Sequence, residues 1–102
     1  MINIKSGLLL EYLRNSAWKT VVMFGAPTCS ACKKTTDIVV PLLEQAHTDV
    51  EFYFLDGDKF PKIADMFEIE YYPTFIYFEG GEEKSKIQSS NILEIDSALF
   101  KK

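Results

Sequence analysis

The chain has 102 residues, 47% hydrophobic and 25% charged, with a formal net charge of −4. That length predicts a single domain over residues 1–102 with one real core. The absence of a basic stripe excludes an ordinary nucleic-acid binder, and no apolar run is long enough to span a bilayer.

Near the start, Ile2 and Ile4 alternate, which suits a short strand over residues 2–5. Ser6 can cap a helix from about Gly7 to Asn15, with Leu8, Leu9, Tyr12 and Leu13 as its apolar positions and Glu11 and Arg14 outward. Glu11 and Arg14 also interrupt Leu8-Leu9-Leu10 before it could act as a signal-peptide core, so a cytoplasmic location without a membrane partner is expected. Thr20 to Ala26 is continuously apolar and β-branched at its start, the pattern of a strand covered on both faces. A long helix follows over about 30–46, with Ile38, Val39, Leu42, Leu43 and Ala46 as its core face. Pro41 lies inside it and should kink it, because its ring clashes with the Asp37 carbonyl and it donates no N–H.

Asp49 marks a turn, and Val50 to Leu55 is an aromatic-rich strand. Asp56-Gly57-Asp58 is a second turn, with Asp58 as a cap and Pro61 in the first turn of a helix over about 59–67. That helix should bury Phe60, Ile63, Ala64 and Phe67. Ile69 to Pro73 bridges to a strand at Thr74–Glu79, and Gly80-Gly81 signals a hairpin. The returning strand, about Lys84 to Gln88, is polar enough to be a sheet edge. A last helix over about 91–100, capped by Ser90 or Asn91, would turn Ile92, Ile95, Leu99 and Phe100 inward. The order is β-α-β-α-β-α-β-β-α.

Both cysteines lie in Phe24-Gly25-Ala26-Pro27-Thr28-Cys29-Ser30-Ala31-Cys32-Lys33, between a strand and a helix. A thiol there meets the helix's free N–H groups and positive dipole end, which favour the reactive thiolate. A second thiol one turn later can attack a bond the first has made. In a reducing compartment such a pair is catalytic or metal-binding rather than a staple. Zinc requires four ligands, and the other soft candidate is the lone His47, which reads better as a solvated or helix-end residue; no metal or cofactor is expected.

Motif, length and element order resemble thioredoxin across nearly the whole chain, and the cysteine run is also similar to the active-site run of protein disulfide isomerase domains. Tyr72-Pro73-Thr74 matches the family's cis-proline before the fourth strand, and Gly81 its hairpin turn. The resemblance implies the α/β thioredoxin fold, a central mixed sheet with helices on both faces. It implies a monomeric thiol-disulfide oxidoreductase that reduces protein disulfides. Cys29 would be the nucleophile and Cys32 the resolving thiol, the two forming the redox-active disulfide. Tyr72, Pro73, Pro27 and Thr28 would contact substrate. An electron-donating reductase, such as a thioredoxin reductase, would be the partner.

The chain also departs from that pattern. Met23 stands where the family has a buried Asp, and Phe52 where its partner Lys would fall. Thr28 replaces the usual Trp, and Gly25 follows Phe24, which opens a surface thioredoxin covers. Ser30-Ala31 supplies neither a stiffening Pro nor a His beside the thiolate. These changes keep two alternatives in play: a non-enzymatic binding module using the Pro73 face with Tyr71 and Tyr72, and a disulfide oxidase or isomerase.

Overall fold

The structure, a computed structural model, describes residues 1–15 and 18–100; the side chain of Arg14, expected to face outward, lies outside the described residues. The elements are β1 (Ile2–Asn3), α1 (Gly7–Arg14), β2 (Lys19–Gly25), α2 (Ser30–Lys34), a π turn (Thr35–Val39), α3 (Val40–Ala46), β3 (Val50–Asp56), α4 (Pro61–Met66), β4 (Thr74–Glu79), β5 (Glu82–Gln88) and α5 (Ile92–Phe100). Among the described residues five strands form one sheet in the order β1-β3-β2-β4-β5. β3 runs parallel to β1 and β2, while β4 is antiparallel to β2 and β5. The sheet is therefore mixed, with the polar β5 at an edge as its composition predicts.

Alternation along the inner strands builds a core on each face. Val21, Met23, Phe52, Phe75 and Tyr77 point to one side and meet Val40 and Leu43 of α3 and Ile95 and Leu99 of α5. Val22, Phe24, Tyr53, Leu55, Ile76 and Phe78 point to the other and meet Leu10 and Leu13 of α1, with Ile63 of α4 packed alongside. The continuous apolar run in β2 is explained by this double coverage.

Local chemistry fixes the ends of the elements. The Leu8 N–H donates to Ser6 Oγ at 3.2 Å, capping α1. Asn91 Oδ1 accepts from the N–H groups of Leu93 and Glu94, so of the two expected caps of α5 it is Asn91 that serves. The hairpin closes through Gly80 and Gly81 at φ 61° and 82°, angles that cost an ordinary residue strain.

Several sequence expectations need correction. β1 stops at Asn3, although Ile4 still donates its N–H to the Phe54 carbonyl and is buried. In α1 the inward residues are Leu10 and Leu13, with Leu9 partly covered; Leu8 and Tyr12 are exposed. In the helix after the cysteines, Val39, Val40 and Leu43 are buried, whereas Ile38, Leu42 and Ala46 are exposed. The cause is the π turn, in which the Val40 N–H donates to the Thr35 carbonyl five residues back. The extra residue rotates everything beyond it relative to a regular helix. The turn ends at Val39, and Pro41, which has no N–H to donate, follows at the start of α3. Asp58 does not cap α4. Asp56 organises that turn instead, its Oδ1 accepting from the N–H groups of Asp58 and Lys59. Phe60, Ile63 and Phe67 are half-buried, and Ala64 is the fully buried residue of α4.

Candidate active site

β2 ends at Gly25 and α2 begins at Ser30, so the loop between them carries Cys29 to the helix N-terminus. Cys29 is the N-cap: the Cys32 N–H donates to Cys29 Sγ at 3.1 Å, and the Lys33 N–H donates to the Cys29 carbonyl at 3.3 Å. The Cys29 N–H in turn donates to the Ala26 carbonyl at 3.1 Å, closing the turn. The two sulphurs are joined as a disulfide with their Cα atoms 5.2 Å apart. The cysteines differ in access, Cys29 being half-exposed and Cys32 only 3% exposed. Lys33 and Lys34 are exposed on the same short helix, as solvated charges should be.

β4 delivers the second part of the site. Its first residue, Thr74, pairs with Phe24 of β2, so Pro73 lies one residue beyond that pair, beside the cysteine loop. Pro73 is buried and its bond to Tyr72 is cis. The Thr74 hydroxyl donates to the Tyr71 carbonyl at 2.6 Å and pins this corner. The two tyrosines part company here. Tyr71 is 69% exposed, whereas Tyr72 packs against both core clusters. The Tyr72 hydroxyl fills the space over Gly57, which a Cβ there would occupy. Burial, reinforced by the carboxylates of Asp58, Asp56 and Asp65, pushes the Tyr72 phenol above its ordinary value. Pro27 and Thr28 are exposed on the cysteine loop, next to Cys29.

A groove of about 200 Å³ runs beside the disulfide, lined by Ala26, Pro27, Cys29, Cys32, Lys33, Thr36, Asp37 and Phe54. One sequence expectation is revised here. Gly25 does not leave an open surface, because it is capped by Phe54: a Cβ on Gly25 would meet Phe54 Cε1 at 2.8 Å and Cys32 Sγ at 3.1 Å. Phe54 and Asp37 line this groove and were not recognised as site residues. Phe54 was legible in principle, since an aromatic strand beside a strand-end glycine has a ring with which to cover it. Asp37 was not, because its place depends on the π turn. Met23 and Phe52, standing where charged groups were expected from the resemblance, are both buried in the core cluster that includes Cys32.

His47 is placed far from the sulphurs. It ends α3 with its Nε2 2.5 Å from Asp96 Oδ1 and its ring stacked on Phe100 at 3.8 Å. It borders a separate cavity of about 600 Å³ at the opposite end of β2, with Lys19, Asp49, Tyr77 and Glu79. Among the described residues no group of three or more His, Cys, Asp or Glu is arranged to hold a metal ion, and no helix is long and apolar enough to cross a membrane.

A half-exposed sulphur at a helix N-terminus, disulfide-bonded to a buried one, with a cis-proline just before the strand that pairs with β2, defines a dithiol-disulfide exchange centre on a mixed sheet with helices on both faces. Comparison with known proteins gives the family. The Thioredoxin family model matches residues 5–99. A thioredoxin H-type from Brassica oleracea is 33% identical over 92 residues, covering 90% of this chain and 74% of that protein. Glutaredoxin 3 from Danio rerio is 31% identical over 90 residues, which is 87% of this chain and 27% of the longer protein. The oxidised crystal structure of mitochondrial thioredoxin 3 from Saccharomyces cerevisiae superposes with a TM-score of 0.87 at 28% identity, covering 95% of this chain and 91% of the other. The chain belongs to the thioredoxin family and is a thiol-disulfide oxidoreductase. No observation favours a purely binding role or a dedicated oxidase or isomerase.

Proposed function

We propose that the protein reduces disulfides of other proteins, with Cys29 as the attacking sulphur and Cys32 as the resolving one. The observation that carries the assignment is the Cys32 N–H directed at Cys29 Sγ at 3.1 Å. That contact, with the helix dipole, stabilises an anionic sulphur at Cys29 once the disulfide is opened. Attack on a substrate disulfide gives a mixed disulfide on Cys29. Attack by Cys32 then releases the second substrate thiol and regenerates the intramolecular bond. The backbone at Tyr72 and Pro73, with Pro27 and Thr28, forms the surface on which an extended substrate segment lies across the sulphurs. Pro73 suits this role because it lacks both an N–H and a charge that would compete for the sulphurs. The whole chain works as one domain and as a monomer. Its place is the cytoplasm, where the thiol pool drives the exchange toward reduction. Its electrons come from a reductase of the thioredoxin reductase type.

The test is reduction of insulin disulfides by dithiothreitol. Cys29→Ser is expected to abolish catalysis, and Cys32→Ser to stall as a covalent adduct on Cys29. Full activity of Cys29→Ser would refute the assignment.

A further inference from the structure

A resolving thiol must lose its proton before it attacks, and Cys32 sits where that is hard. Its side chain belongs to an apolar cluster with Met23, Phe52 and Phe75, and Gly25 and Phe54 close over the sulphur. Removal from water in such surroundings favours the neutral thiol over the thiolate. None of these neighbours accepts a proton. The Thr36 hydroxyl, one turn on, is directed at Met23 Sδ at 3.9 Å.

The groove beside the disulfide offers a way out. Its volume of about 200 Å³ holds several waters. Among the described residues lining it, Asp37 is the one carboxylate and Lys33 the one cation, both from the helix; Ala26 and Pro27 of the loop and Phe54 of β3 add no titratable group. Asp37 reaches the groove through the π turn. In a regular helix a residue five positions after Cys32 would lie about 140° around the axis from it. The wider turn over Thr35–Val39 narrows that angle, and Asp37, an exposed residue, lines the same groove as Cys32.

We propose that Asp37 accepts the Cys32 proton through groove water during resolution, a role that rests on the sulphur assignments above. The Cys32 S–H passes its proton to a water, which passes one to the Asp37 carboxylate. The Cys32 sulphur bonds to the Cys29 sulphur as the bond from Cys29 to the substrate sulphur breaks. The electron pair leaves on the substrate thiolate, which takes a proton from solvent, and Asp37 returns its own to solvent. Two thiol equivalents become one disulfide while the substrate disulfide becomes two thiols.

The test uses the reduced full chain and 5,5'-dithiobis(2-nitrobenzoate) in stopped flow. A first release of coloured thiolate, dependent on reagent concentration, reports attack by Cys29. A second, independent of concentration, reports resolution by Cys32. Asp37→Asn is expected to slow the second phase about 10-fold to 100-fold and leave the first unchanged. Between about pH 6 and 8 the wild-type second phase should be nearly flat, because the proton goes to a base that the protein itself supplies. In the variant it should climb about tenfold per pH unit, because only pre-formed thiolate then reacts. Asp37→Glu should restore most of the rate. An unchanged second phase with an unchanged pH profile in Asp37→Asn overturns the proposal and leaves the sulphur roles standing. A wild-type reaction that never shows a second release overturns the sulphur roles, and this proposal with them.

Discussion

Gly25→Ala puts the fit around the disulfide under direct test. The added methyl would lie 2.8 Å from Phe54 Cε1 and 3.1 Å from Cys32 Sγ. The first separation is shorter than real contacts allow, and the second is tight. Cys32 is fixed by its disulfide and its helix, so the Phe54 ring has to give way. Overfilling of this kind costs about 1–3 kcal/mol. In a domain of this size that lowers Tm by about 4–8 °C for each kcal/mol. The assay is a double-mutant cycle read by urea unfolding of the oxidised protein, with Gly25→Ala, Phe54→Ala and the pair. If the ring is the obstacle, the alanine at 25 destabilises the parent and is nearly neutral beside Ala at 54, giving a coupling energy of about 1 kcal/mol or more. Equal costs in both backgrounds would show that Phe54 does not cover Gly25, and the description of the groove wall would fail.

Two further outcomes follow from the packing and from the buried phenols. Leu10→Ala should cost about 2–5 kcal/mol, whereas Leu8→Ala, on the exposed side of α1, should stay within about 0.5 kcal/mol; equal losses in chemical denaturation would contradict the orientation of that helix. Burial, and then the bond to Glu51, push the Tyr53 phenol from 10.0 up to about 12, and Tyr77 is raised by burial and by Glu79. A phenol raised in the folded state contributes its full stability below about pH 10 and loses it as pH climbs through about 12. Tyr53 should thus account for roughly 2–3 kcal/mol of alkaline destabilisation, which Tyr53→Phe removes. A variant that loses stability between pH 10 and 12 as steeply as the parent would exclude this cause.

The order of elements and the cysteine site could be read from the chain because each rests on strong local signals. β2 and β4 are unbroken apolar runs bounded by a glycine or a proline, and Cys29 and Cys32 stand at a strand-to-helix junction. Helix faces were harder, for different reasons in each case. Leu8-Leu9-Leu10 supplies apolar residues in every direction, so only the sheet beneath α1 selects Leu10 and Leu13. In the helix after the cysteines the period itself changes at Thr35–Val39, and a constant 3.6-residue count assigns Ile38 and Leu42 to the wrong side. The turn after β3 contained two aspartates, and propensity alone could not choose Asp56 over Asp58.

The surplus residue at Thr35–Val39 also divides the labour of one long helix. The segment bearing the sulphurs answers to the chemistry at its tip, and the segment bearing Val40 and Leu43 answers to the sheet. Each keeps its own phase, so either can drift in sequence without dragging the other out of alignment. Removing one position there would restore an ordinary turn and leave both segments facing as they do, because Val40 already stands over Thr35 where the fourth residue of a regular turn would stand.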